Sequence, residues 1–270
     1  MKNRILKISS FCETGSGGTP SRQKQEKYYR GGVPWVKSGE LRESIIYGTE
    51  ESVTDEAIRE TNVKIVPEGA LLVAMYGATI GRVAILGVPA ATNQAICSII
   101  PDNKIADTKY LFHCLVAHKN QFLMRGAGGA QPNITQSIIR DTEIPLPLMA
   151  EQKRIAAILD KADAIRRKRQ AAIKLAEDFL HATFLDMFGD PVINPKGWMV
   201  EPLGDHCEEM RYGSSVKCSA IKAENSLPVL RIPNVAKEKV NFEDIVYSSL
   251  PKQERTKLKL INGDLGAVRK

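Results

Sequence analysis

At 270 residues, with 43% hydrophobic and 26% charged content, the chain has the make-up of a soluble globular protein of one large domain or two ordinary ones. Its longest apolar stretches, such as GALLVAMYGATIG and VAILGVPAAT, are broken by Gly and Pro well short of a membrane span, so a membrane role is excluded. The net charge of +7 is compatible with nucleic acid or an acidic partner and diagnostic of neither.

The N-terminal MKNRILKISSF is basic but has no apolar core, so no signal peptide is read and the cytoplasm is the expected compartment. The five cysteines, Cys12, Cys97, Cys114, Cys207 and Cys218, never form a CxxC pair, which points to free thiols in a reducing compartment and to no zinc cluster. Next in the chain, TGSGGTPS (Thr14 to Ser21) is glycine-rich but lacks the GxxxxGK[ST] spacing of a phosphate-cradling loop. VPWVKSGEL reads as a short buried strand that delivers Lys37, Ser38 and Glu40 just beyond its end. TDEAIRETNVKIV opens a helix behind a capping Thr54. GALLVAMYG is a second buried strand, leading into YGATIGR, whose glycine-framed turn carries Tyr76, Thr79 and Arg82.

ATNQA supplies Asn93 and Gln94, two amides able to pair bidentately with adenine edges. TKYLFHCLVAHKNQFLMR is expected to be one helix, on which His113 and His118 lie five apart and do not share a face. RGAGGAQPNITQSIIRD reads as an ordered loop offering Arg125, Gln131, Asn133 and Thr135. Each of these polar residues has an ordinary alternative role, since Asn and Ser commonly hydrogen-bond their own backbone. Taken together on a basic chain, they tilt towards base readout, with Lys and Arg on phosphates.

Two prolines in IPLPL then introduce about 40 residues free of Gly and Pro, ending at Gly189. Ile155, Ile158, Ala162, Ile165, Ala172, Ala176, Phe179 and Thr183 recur at steps of three and four, interrupted by Arg169. This is the seam of a coiled-coil-like helix about 55 Å long, and one apolar stripe of that length needs a partner helix. The cluster RRKRQ (Arg166 to Gln170) is either a solvated face or a phosphate- or partner-facing one.

Beyond it the chain repeats itself. Pro34 of GGVPWV matches Pro228 of NSLPVL, and Gly69 of VPEGALLV matches Gly263 of INGDLGAV; 228 − 34 and 263 − 69 both give 194. Residues from about 198 onward therefore read as a second copy of the first domain that breaks off at Lys270, the mark of a fragment or a truncated gene. The expected architecture is α+β: a mixed domain over 1–149, a spacer helix over 150–189 and an incomplete second copy over 190–270.

No catalytic constellation is found. A methyltransferase would need a cofactor loop and an Asn/Asp-Pro-Pro-aromatic segment, and FGDPV and VINPKGW each lack the aromatic. IIPDNK begins like a nuclease motif but has no acidic-x-Lys partner, and no GxSxG elbow occurs.

The order VPWVKSGEL, VPEGALLVAMYGATIGRVAI, ATNQAICSIIP and GAGGAQPNITQSIIRDTEIPLPLMAEQKRIAAILDKAD resembles the specificity subunits of type I restriction-modification systems. The resemblance implies two tandem target-recognition domains held apart by antiparallel helices, each reading half of a split double-stranded DNA site. It also implies that the helices dock the methyltransferase (M) subunits, that nuclease/translocase (R) subunits join that core, and that methyl transfer to adenine occurs on the partner. The chain itself is then no enzyme and needs no cofactor or metal. Its apolar stripe could also pair with a second copy. The competing readings are an interaction scaffold that binds no DNA and a fragment of an adenine methyltransferase or nuclease.

Overall fold

The computed structural model describes residues 4–126, 133–235 and 240–266. Contacts divide the chain into two compact units, Met1–Ala182 and Thr183–Lys270.

The first unit opens with strands β1 (Arg4–Lys7) and β2 (Cys12–Ser16), helix α1 (Gln25–Tyr28) and strand β3 (Tyr29–Val36). Two short strands, β4 (Ile45–Ile46) and β5 (Glu51–Val53), precede helix α2 (Asp55–Glu60). Thr54 caps α2 as the sequence predicts, its hydroxyl accepting the Ala57 N–H at 3.2 Å. Strands β6 (Ile65–Val66), β7 (Leu71–Ala74), β8 (Val83–Leu86), β9 (Ala90–Thr92) and β10 (Ile96–Pro101) come next. Helices α3 (Thr108–Ala117), α4 (Lys119–Gly126) and α5 (Gln136–Arg140), strand β11 (Glu143–Leu146) and helix α6 (Met149–Phe188) complete this part of the chain.

Five strands lie in the order β2-β10-β7-β8-β4 and four in the order β5-β3-β9-β6, while β1 pairs with β11. All pairings are antiparallel except β3 with β9 and β4 with β8. The continuous apolar run of β7 is explained by its place between two cores. Leu71 and Val73 join Tyr110, Leu111, Leu115 and Phe122 in one cluster, while Leu72 and Ala74 join Val36, Leu41 and Leu86 in another. Alternating side chains on one strand therefore serve both layers. A third cluster gathers Tyr28, Tyr29, Trp35, Val53 and Ala91 around the four-stranded sheet.

Two expectations are corrected. The helix expected over TKYLFHCLVAHKNQFLMR is two helices, because His118 closes α3 at ψ −4° and its Nδ1 lies 2.7 Å from the Cys114 carbonyl, drawing a side chain into the last turn. The loop expected after Arg125 contains α5, which Thr135 caps through Ile138 N–H at 3.4 Å and which the buried Ile139 anchors. Residues 127–132, with Gln131 among them, lie outside the described residues.

Helix α6 is rooted in the first unit by Gln152, which is 1% exposed. Its Oε1 accepts the Asp107 N–H at 2.9 Å, and its Nε2 donates to the carbonyls of Ile105 and Pro147 at 3.0 Å each. Truncation would leave three backbone groups without that partner. Gln152→Ala is expected to destabilise the first unit by about 3 kcal/mol, measured as a lower urea midpoint at unchanged slope.

In the second unit, strand β12 (Leu227–Val229), helix α7 (Ile232–Val235), strand β13 (Val246–Ser248) and helix α8 (Lys252–Lys257) occur in order. Pro228 pairs antiparallel with Tyr247 across β12 and β13, as Pro34 pairs with Ser52 across β3 and β5. Gly69 and Gly263, matched by the repeat, both adopt positive φ, 81° and 102°.

Candidate nucleic-acid interface

A groove of about 360 Å³ opens where the turns after β7 and β9 meet the segment leading into α5. Its polar side chains are Ser16, Tyr76, Gln94, Asn133, Thr135 and Gln136, above a floor of Met75 and Ile134. The floor is fixed by backbone: Met75 N–H donates to Ala95 O at 2.8 Å, and Ile134 N–H to Met75 O at 2.9 Å. Tyr76 and Asn133 consequently face each other in an isolated antiparallel bridge, with Tyr76 45% exposed. Gln136 Nε2 donates to Thr14 Oγ1 at 3.0 Å, and the Thr19 hydroxyl donates to Gln94 Oε1.

Thr19 is the exposed tip of a tightly fastened loop. A Cβ on Gly17 would overlap the Thr92 carbonyl, so only glycine fits there. Gly18 N–H donates to Thr92 O at 2.9 Å, Trp35 Nε1 donates to Gly18 O at 3.1 Å, and Tyr29 OH donates to Pro20 O at 2.7 Å. Arg22 then stacks 4.3 Å from the Tyr29 ring centre and forks onto Glu51 at 2.7 and 3.1 Å.

Of the residues singled out in the sequence, Tyr76, Gln94, Asn133 and Thr135 are brought together in this groove. Lys37, Ser38 and Glu40 do not line this groove. Lys37 Nζ donates to Glu50 at 2.8 Å and Glu51 at 3.1 Å, hydrogen bonds that raise its pKa. Glu40 accepts the N–H groups of Lys37 and Glu50 at 2.7 and 2.8 Å, and the Ser38 carbonyl accepts Leu41 N–H at 3.4 Å. Arg22 first, and then Lys37, holds Glu51 below the usual carboxylate range. Thr79 closes its own turn by donating to Tyr76 O at 3.0 Å, and the Arg82 carbonyl accepts Ala74 N–H at 3.0 Å. Asn93 Oδ1 and Thr92 Oγ1 are buried without a hydrogen-bond partner among the described residues. Arg125 is exposed in the last turn of α4. Ser16, Thr19 and Gln136 were not singled out, although TGSGGTPS, weighed only as a phosphate loop, contains the first two.

Forty residues make α6 about 60 Å long. Ile155 packs against the first unit's core, whereas Ile158, Ile165 and Phe179 are 52%, 55% and 67% exposed, and Ala162, Ala172 and Ala176 are exposed beside them. Leu159, Ile173, Leu180, Phe184 and Met187 widen the exposed stripe. Across the helix, Asp160 accepts from Lys109 Nζ and pairs with His113 Nε2, each at 2.8 Å.

Burial works to raise the Asp160 pKa, but the hydrogen bonds from Lys109 and His113 prevail and leave it below the ordinary value. A depressed folded pKa stabilises above the unfolded pKa, near 4, and that stability is lost as pH falls through the folded value. Thermal unfolding scanned downward from about pH 5 should show a shallower acid limb in Asp160→Asn than in the parent.

Among the described residues, no helix is long and apolar enough to cross a membrane. A family model described as the type I restriction modification DNA specificity domain matches residues 2–175. The type I restriction enzyme MjaIX specificity subunit of Methanocaldococcus jannaschii is 30% identical over 254 residues, 86% of this chain and 58% of its own. The EcoR124I/EcoR124II specificity subunit of Escherichia coli is 30% identical over 155 residues, 55% of this chain and 38% of its own. The chain thus spans 58% and 38% of the lengths of these curated relatives. A chain from a solved structure on complex assembly and conformational transition of the type I R-M system superposes at TM-score 0.54, with 18% identity. It covers 68% of this chain and 44% of its own, a likeness of fold.

Proposed function

The chain belongs to the type I restriction modification DNA specificity domain family, and on that premise we propose that it is the DNA-recognition subunit of a type I restriction-modification complex. The first recognition domain, over 1–149, reads one half of a split duplex site. The spacer helix, over 150–189, docks the M subunits, through which the R subunits join, and the region over 190–270 takes the place of a second recognition domain. The chain is non-catalytic, methyl transfer belongs to the M partner, and the complex works in the cytoplasm.

The observation that carries this reading is the groove. Six polar side chains, from the end of β2, the turns after β7 and β9, and the entry and first residue of α5, converge over a backbone-fixed floor. Amides and hydroxyls so arranged match the donor and acceptor pattern of base edges, while exposed cations such as Arg125 supply phosphate contacts. The apolar stripe of α6 fits a helix of an M subunit or of a second copy of this chain.

Genome-wide adenine-methylation mapping in the host, with the gene intact and deleted, tests it. Loss of one split motif on deletion is the expected result. A palindromic motif would identify pairing of two copies, and an asymmetric one a second, different recognition domain. Unchanged methylation would overturn the reading.

A further inference from the structure

We propose that Asp160 and Arg167 are positioning residues: they fix the direction in which α6 leaves the first unit, and so determine the half-site spacing that the complex accepts. This rests on the DNA-recognition reading and adds a role for side chains that touch no base.

Three stations hold the first half of α6 against its own unit. Gln152 is buried among Asp107, Ile105 and Pro147; Asp160 takes Lys109 and His113, one turn apart on α3; and Arg167 donates to the Glu43 carbonyl. At 100° per residue these three positions, with Ala156 between them, fall within about 80° of one another on the helix circumference. Ile158, Ala162 and Ile165 fall roughly opposite, so the clamp leaves the apolar stripe free.

The third station is itself unusual. Glu43 is a non-glycine residue at φ 55°, a conformation of the kind that persists only where surrounding contacts impose it. Its carboxylate takes Lys119 Nζ at 2.8 Å, and Lys119 in turn packs against Gly81, where a Cβ would lie 3.2 Å from the lysine Cγ. One residue thus ties α6 to α4 and to the turn just after Tyr76 in the groove. Among the described residues, no hydrogen bond or ion pair links side chains 168–182 to the rest of the first unit.

Arg167 is therefore the last fixed point before an arm of 21 residues to Phe188, about 32 Å of helix. A change of about 10° at its root moves the far end by roughly 5 Å, more than one base-pair step of about 3.4 Å. A helix held only at Gln152 would tolerate several spacings; one held at all three stations selects among them.

The test uses the full chain assembled with its M subunits and duplexes carrying the methylated motif with its spacer unchanged or altered by one base pair either way. Asp160→Ala/Arg167→Ala should keep the half-site sequence preference and the parent Tm to within a few degrees. Its preference for the native spacer should fall about tenfold, a coupling-sized effect, and Arg167→Lys should restore part of it. An undiminished spacer preference would overturn the proposal. So would loss of half-site preference together with a large fall in Tm, which would mark these residues as merely structural. If the parent complex itself selects no sequence, the DNA-recognition reading fails first, and that result is distinct from either of the others.

Discussion

Gln94→Ala is expected to lower discrimination between the cognate half-site and single-base variants by about 10- to 100-fold at one base position, the range set by one bidentate amide–base contact. Gln94 sits in the turn between β9 and β10, closed by Ile96 N–H donating to Asn93 O at 3.2 Å, so its Cα does not drift. The Thr19 hydroxyl holds its amide oxygen, and Thr19 rides on the loop fastened to Thr92, Trp35 and Tyr29. A side chain oriented this way loses little conformational entropy on contact, which is why its removal should fall on specificity. The salt dependence of binding should not change. Arg125→Ala gives the contrast: weaker binding to every sequence and a shallower salt slope, by about one ion. Titration of the assembled complex on a set of single-base duplex variants reads both. An equal loss on all variants for Gln94→Ala would remove it from the base-reading set.

The second large effect concerns the spacer. Deleting residues 170–176, beyond the last clamp at Arg167, shortens α6 by about 10 Å and rotates the distal half of the helix by only about 20°. The methylated motif should keep both half-sites while its spacer contracts by about three base pairs. A spacer of unchanged length would mean that the helix is a tether and not a ruler. Removal of five residues would instead turn the stripe containing Phe179 by about 140°, away from its partner, and should abolish assembly.

Local signals made much of the fold legible. The absence of Gly and Pro from Leu148 to Phe188 announced α6, the Thr54 cap announced α2, and apolar runs announced β3 and β7. The features missed depend on competition within a turn or on distant pairing. The break at His118 comes from one imidazole against one carbonyl, and α5 is a five-residue helix anchored by a single buried Ile139. The hydrogen bonds of Lys37 to Glu50 and Glu51, and of Glu40 to the Glu50 N–H, join residues 10 to 14 apart and were likewise invisible to local pattern. The groove joins Ser16, Tyr76, Gln94 and Asn133, whose proximity arises from a strand order no local pattern encodes.

Strand β7 has no face to spare, one set of its side chains going to the helical layer and the other to the inter-sheet layer. A slip of one residue would exchange the two sets and spoil both layers at once. Met75 and Tyr76 are the next two residues along, so the register that keeps the interior intact also sets the height of the groove floor. The side chains of Tyr76, Gln94 and Asn133 at the rim belong to none of the core clusters. On the proposed DNA-recognition reading, the target sequence can therefore be rewritten at the rim without renegotiating the interior, as a printing press changes type while keeping its bed.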